Sequence, residues 1–109
     1  MQEIEFIQEY LNRYQKSLLE NDVSDSMIAM KKFLLQTRDN GNKVLIAGNG
    51  GSAAMASHVS VDLTKQAGIR TVNFNEADLI TCFANDYGYE NWVAKALEFY
   101  GDEGDVVIL

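Results

Sequence analysis

The short apolar run Lys43-Val44-Leu45-Ile46-Ala47 passes without a spacer into Gly48-Asn49-Gly50-Gly51-Ser52 and then into a helical pattern. No other feature constrains the fold as much. A run this short and apolar suits a strand buried on both faces, as in parallel sheets. Glycines let the backbone turn tightly and approach a ligand without Cβ clashes. The following helix then presents unpaired N–H groups and a partial positive charge to an anion, worth about 0.3–1 kcal/mol. The plainer reading is a tight strand–helix connection with Ser52 as the N-cap. The turn is no P-loop, because a Lys-Ser/Thr ending is missing, and it lacks the Gly-x-Gly-x-x-Gly spacing. No nucleotide cofactor is expected.

The rest of the chain repeats the alternation. Ser52 to Ala67 predicts a helix and Arg70-Thr71-Val72-Asn73-Phe74 a second strand. Glu76–Ala84 and Tyr89–Tyr100 predict helices separated by a break at Asn85-Asp86-Tyr87-Gly88. After the turn Gly101-Asp102-Glu103-Gly104, residues Asp105–Leu109 form a third strand. Strands alternating with helices predict a layered α/β fold with a parallel sheet. Two helices precede the first strand. Residues 2–20 carry Ile4, Ile7, Leu11, Tyr14 and Leu18 on one narrow seam. A second helix, capped by Ser24 or Asp25, places Met27, Met30, Leu34 and Thr37 on one side and ends at Asn40-Gly41-Asn42 with a glycine C-cap. Narrow seams ahead of the sheet predict packing on something outside its core. The expectation is one partial domain over 1–109, with 1–40 a helical oligomerisation segment and 43–109 the α/β part. Three strands, one at the terminus, leave sheet edges uncovered, which predicts a domain truncated after the third strand.

Charge and cysteine content narrow the function. Nine Lys and Arg face sixteen Asp and Glu, a net charge of −7. Without a basic cluster no nucleic-acid partner is expected. A small phosphate remains compatible, since oriented backbone N–H groups outweigh distant carboxylates screened within about 8 Å. The single cysteine, Cys82, cannot form an internal disulfide, in keeping with a reducing compartment. No apolar stretch approaches the roughly 20 residues of a membrane span, and the start lacks a signal peptide, so a cytoplasmic location without a membrane partner is expected.

Three further clusters carry candidate chemistry. His58, the only histidine, and Asp62 lie four residues apart on the helix after the turn, sharing a face with Gly51 and Met55. Ala56, Val59, Leu63 and Ala67 would pack on the sheet, letting the polar pair look into a cleft. Alone, such a pair is an ordinary surface feature; two turns beyond a phosphate-type loop it becomes a candidate for proton transfer. Asn85-Asp86-Tyr87-Gly88 reads as a turn in which Asn85 or Asp86 caps the next helix. Cys82, beside Leu79, Ile80 and Phe83, reads as an inert core residue.

Taken together, GNGGSAAMASHVSVDL (48–63), ANDYGYE (84–90) and EGDVVIL (103–109) resemble the SIS (sugar isomerase) domain, specifically its phosphoheptose isomerase branch. The resemblance spans essentially the whole chain. It implies a three-layer αβα, flavodoxin-like fold whose leading helices pack in a homo-oligomer, a tetramer. It implies isomerisation of sedoheptulose 7-phosphate to an aldoheptose phosphate, feeding bacterial heptose biosynthesis for lipopolysaccharide or capsule. Residue by residue, Asn49, Gly50, Gly51 and Ser52 match the substrate-binding turn, and Asn85 and Asp86 a second substrate-contacting pair. His58 falls on a metal-ligand position and Asp62 on a glutamate that serves as base and metal ligand, so catalysis and one zinc per site would rest on these two.

Two departures stand out. Asp62 is one methylene shorter than the family's Glu, and a misplacement of about 1 Å can cost about 100-fold in rate. The family's Ser/Thr-rich phosphate loop and the later Gln and His of its metal site have no counterpart in these 109 residues. Two non-enzymatic readings stay open: a sugar-phosphate-binding regulator, and an interaction protein of the DnaA-initiator-associating type.

Overall fold

The computed structural model describes residues 2–109. They divide into two compact units, one taking the chain up to Met30 and the other comprising Lys31–Leu109. In the first, α1 (Glu3–Tyr14) passes into a π-helical turn at Gln15–Leu19 and α2 (Ser24–Asp39) begins. The Gln2 N–H donates to the Glu5 carboxylate at 3.3 Å, closing the start of α1. The start of α2 differs from expectation: Asp22, not Ser24 or Asp25, supplies the cap oxygen, accepting the Ser24 N–H at 3.0 Å. Ile4, Ile7, Leu11 and Tyr14 recur at the predicted spacing along α1, while Leu18 falls in the π-helical turn, where the regular spacing of the expected helix ends; all five are exposed, as are Met27 and Met30.

In the second unit α2 ends where the glycine signal placed it. Gly41 takes φ 79°, and the Asn42 N–H reaches back to the Thr37 carbonyl at 3.0 Å. Three short strands follow, β1 (Val44–Ile46), β2 (Thr71–Asn73) and β3 (Val106–Ile108), separated by α3 (Gly51–Ala67), then α4 (Ala77–Tyr87) and α5 (Trp92–Tyr100). The sheet is parallel, ordered β2-β1-β3, with Leu45 opposite Val72 on one side and Val107 on the other.

Central placement explains the composition of β1. Val44, Leu45 and Ile46 are all buried, and the two-residue strand period sends neighbours to opposite faces. Val44 packs with Leu34 of α2, Ile69, and Leu63 and Ala67 of α3; Leu45 packs with Phe74, with Trp92 and Ala96 of α5, and with Leu79, Ile80 and Phe83 of α4. This is the predicted three-layer arrangement, with α3 and the part of α2 that belongs to this unit on one face and α4 and α5 on the other. Because the chain crosses from one face to the other between β2 and β3, the sheet has a topological switch point at the carboxyl ends of β1 and β3.

The opposite end of the sheet is closed by charge. Asp105, with a side chain only 4% exposed, accepts from the Lys43 ammonium at 2.6 Å, the Lys43 N–H at 3.0 Å, the Asp102 N–H at 2.8 Å and the Asn42 amide at 3.1 Å. Burial pushes its carboxyl up, but these donors outweigh burial and hold it well below the usual carboxylate range. Among the described residues no helix is long and apolar enough to cross a membrane.

Candidate functional site

The turn after β1 is built by three glycines with different duties. A Cβ on Gly48 would stand 2.6 Å from the Ser52 backbone carbon and oxygen, so only glycine lets the chain double back there. Gly50 holds φ 55° and ψ −120°, outside the range of ordinary L residues, and sits just before the first residue of α3. Gly51 has open space around it and opens the helix. The Ser52 N–H bonds to the Asn49 carbonyl at 3.0 Å and the Ala54 N–H to the Gly50 carbonyl at 3.1 Å. No side chain caps α3, so the plainer reading of Ser52 as N-cap gives way: it lies inside the first turn. Helix N–H groups that no side chain satisfies remain available to an anion.

Beside this N-terminus lies a recess of about 400 Å³ lined by Ala47, Gly48, Asn49, Ser52, Val93 and Leu109. It opens at the carboxyl ends of β1 and β3, the switch point where open α/β sheets take their ligands. Backbone N–H groups, the Ser52 hydroxyl and the Asn49 amide offer polar contacts; Val93 and Leu109 offer an apolar wall.

The other expected residues do not converge on this recess. His58 and Asp62 do share one face, with Nε2 and Oδ2 3.3 Å apart, but their side chains are 80% and 56% exposed and neither lines the recess. Both side chains stand at the surface, away from the recess beside the N-terminus of α3. The physical reason is the rotation of α3. Its buried residues are Ala56 and Ser60, with Leu63 and Ala67 against the core, and His58 lies about 200° around the helix from Ala56. Val59, expected on the sheet, is exposed. Ser60, which sequence reading passed over, is buried because its hydroxyl takes the Asn73 amide at 2.9 Å and donates to the Ser57 carbonyl at 2.7 Å.

Asn85 and Asp86 are not in a turn. They belong to the last turn of α4, which runs to Tyr87, and Gly88 alone makes the break with φ 89°. Neither caps the following helix, which starts as a short 3-10 turn at Tyr89–Asn91. Asp86 instead lines a second recess, of about 430 Å³, with Cys82, Phe83, Tyr87, Phe99 and Tyr100. Asn85 donates its amide to Asp86 at 3.2 Å. Cys82 is exposed rather than a core residue, since α4 turns Leu79, Ile80 and Phe83 inward instead. Its thiol lies 3.6 Å from the Asp86 carboxylate, whose negative charge raises the thiol pKa. A thiol held protonated is a poor nucleophile.

One residue of the site was missed. The Tyr89 hydroxyl donates to the Asn49 side-chain oxygen at 2.7 Å, joining the α4–α5 junction to the turn across forty residues of sequence. Its only sequence signal is a tyrosine directly after a glycine break.

Zinc takes four donors, or three and a water. His58 and Asp62 supply two of the right kind, but no group of three His, Cys, Asp or Glu side chains able to hold a metal occurs among the described residues. The residues present do not make a zinc site by themselves.

No protein-family model matches the chain. Individual relatives do. It is 36% identical over 102 residues to a phosphoheptose isomerase of Helicobacter pylori, an alignment covering 85% of this chain and 53% of that protein. It is 31% identical over 113 residues to the phosphoheptose isomerase of Geotalea daltonii, covering 96% and 59%. The fold superposes on a solved phosphoheptose isomerase from Francisella tularensis with a TM-score of 0.87 at 25% identity, covering 98% of this chain and 59% of that one. A phosphoheptose isomerase from Neisseria gonorrhoeae gives 0.78 at 28% identity, covering 93% and 58%. The chain thus spans a little over half the length of these relatives. In sequence and in fold, nearly the whole chain is similar to a little over half of these phosphoheptose isomerases.

Proposed function

We propose that the protein is a sugar-phosphate isomerase converting sedoheptulose 7-phosphate to an aldoheptose 7-phosphate, in the cytoplasm, as a step of bacterial heptose biosynthesis. The observation that carries this reading is the uncapped N-terminus of α3, opening into a recess at the switch point of the sheet. An anionic group seated there meets N–H donors, the Ser52 hydroxyl and the positive end of a 17-residue helix. Asn49, Gly50, Gly51 and Ser52 bind the phosphate end of the substrate in this reading; Asn85 and Asp86, which lie on α4 outside this recess, are assigned as the second substrate-contacting pair on the family resemblance alone. The phosphoheptose isomerase relatives support the substrate class.

Aldose–ketose isomerisation needs a base to remove the proton beside the carbonyl, and an acid to return one to the neighbouring carbon of the cis-enediol. Asp62 is assigned as the base. His58, 3.3 Å away, orients its carboxylate and serves the substrate oxygens. The zinc implied by the family resemblance would need donors beyond this pair, so the proton transfers are assigned to the side chains themselves. A pair this exposed cannot exclude water on its own. The reading therefore requires a second copy over this face of α3, in a homo-oligomer, a tetramer, that also covers the seam from Ile4 to Leu18. Residues 1–40 act as the oligomerisation segment and 43–109 as the α/β part of one partial SIS domain.

The test is an isomerase assay of the full-length gene product with sedoheptulose 7-phosphate and smaller ketose phosphates. Turnover that falls about 10²–10⁴-fold in Asp62→Asn supports the reading. Sugar-phosphate binding without turnover would instead assign the protein to non-catalytic regulation.

A further inference from the structure

Tyr89 has no place in the chemistry above, yet it makes a direct polar contact with the turn. We infer that Tyr89 is a positioning residue that pins the Asn49 side chain at the edge of the recess, in this structure by donating to its oxygen so that the NH2 end is left for the ligand; the inference rests on the sugar-phosphate reading of the same recess. A carboxamide has two unlike ends, an oxygen that accepts and an NH2 that donates. The Tyr89 hydroxyl, 2.7 Å from Oδ1, occupies the accepting end. The donating end is left for the recess that Asn49 lines. An anion gains from a donor there and is repelled by a carbonyl oxygen, so the orientation decides whether Asn49 helps or hinders binding.

The phenol is itself held in place. Gly88 turns the chain at φ 89°, the Asn91 N–H closes the 3-10 turn onto the Gly88 carbonyl at 3.0 Å, and the Asn91 amide donates to the Tyr87 carbonyl at 2.9 Å. One helical turn later Val93 lines the recess, so the same segment supplies part of its wall. The ring of Tyr89 is largely exposed, which leaves the hydroxyl little to do for the core. Removing it alters the site and spares the fold.

The experiment compares Tyr89→Phe with wild type in the full-length protein, with and without Asn49→Ala. For sedoheptulose 7-phosphate, Tyr89→Phe should raise KM about three- to tenfold, the worth of one hydrogen bond, with kcat and melting temperature unchanged. In the Asn49→Ala background the same change should do nothing. The Asn49 side-chain NH2 resonances, read without ligand, should shift on Tyr89→Phe. An unchanged KM in an active enzyme, or an equal rise in both backgrounds, overturns this inference alone. If wild type neither binds nor turns over the sugar phosphate, the isomerase reading fails and the resonances decide: a shift upholds the orienting contact, and no shift overturns it.

Discussion

Gly48, Gly50 and Gly51 lie within four residues, and the geometry assigns each a different response to alanine. At Gly48 the new Cβ would stand 2.6 Å from backbone atoms of Ser52, against 3.4 Å for ordinary contact, so α3 must retreat by about 0.8 Å. Backbone in a hydrogen-bonded first turn cannot rotate aside as a side chain would. The cost should reach the upper end of the roughly 1–3 kcal/mol typical of overpacking. At Gly50 no atom obstructs a Cβ, but φ 55° with ψ −120° is strained for alanine, costing about 1–3 kcal/mol. At Gly51 nothing obstructs and φ is ordinary, so alanine should stabilise by about 0.4–1 kcal/mol by narrowing the unfolded ensemble. That unfolded-state gain is common to all three variants, so the difference between Gly48→Ala and Gly51→Ala isolates the native clash, at about 3 kcal/mol. With a urea slope of about 1–3 kcal/mol/M, the two midpoints should differ by about 1–3 M with unchanged slopes. Circular dichroism during urea titration measures this directly. Equal midpoints for these two variants would refute the turn geometry, and with it the placement of the helix N-terminus at the recess.

Asp105→Asn should cost about 2 kcal/mol, the low end for a charged, hydrogen-bonded pair, because Lys43 keeps Asp102 as a partner at 2.7 Å. A carboxyl depressed in the folded state contributes stability that is complete above its unfolded pKa, about 3.9, and is lost as pH falls toward the folded value. Denaturation between pH 5 and 2 should therefore show a steeper loss in wild type than in Asp105→Asn; parallel curves would dismiss the role of this carboxylate. Asp62→Glu restores the reach of the family's residue, and turnover in the full-length protein should hold or rise, whereas a large fall would argue against Asp62 as base. Sedimentation at micromolar concentration should find a dimer or larger species, since the seam from Ile4 to Leu18 is exposed and its burial is worth about 25 cal/mol per Å². A clean monomer would count against the oligomer.

Local chemistry was enough for the layers and for the turn. A four-residue apolar run bounded by a lysine and a glycine can satisfy its backbone and bury both faces only as an inner strand, and β1 is that strand. Gly41 and the Gly48–Ser52 segment announced their turns because no other residue adopts such backbone cheaply. The break at residues 85–88 was misplaced for a related reason. Asn and Asp favour turns through bonds to their own backbone, but that preference is worth only tenths of a kcal/mol, and packing of Leu79, Ile80 and Phe83 on the core carries α4 through to Tyr87.

Sequence spacing alone put His58 and Asp62 on one face of one helix, because i,i+4 adjacency is a property of the helix itself. Where that face looks is not local. It depends on how α3 rolls against the sheet, which was settled by Ala56 fitting the core and Ser60 pairing with Asn73, contacts made by residues thirteen and more positions apart. The same holds for Cys82, whose exposure follows from the inward turn of its neighbours, and for Tyr89, whose partner lies forty residues upstream. Periodicity and glycine act through neighbours along the chain and so can be read from it. The orientation of a helix face and the meeting of a hydroxyl with an amide arise only when distant segments pack, and the tertiary structure decided both.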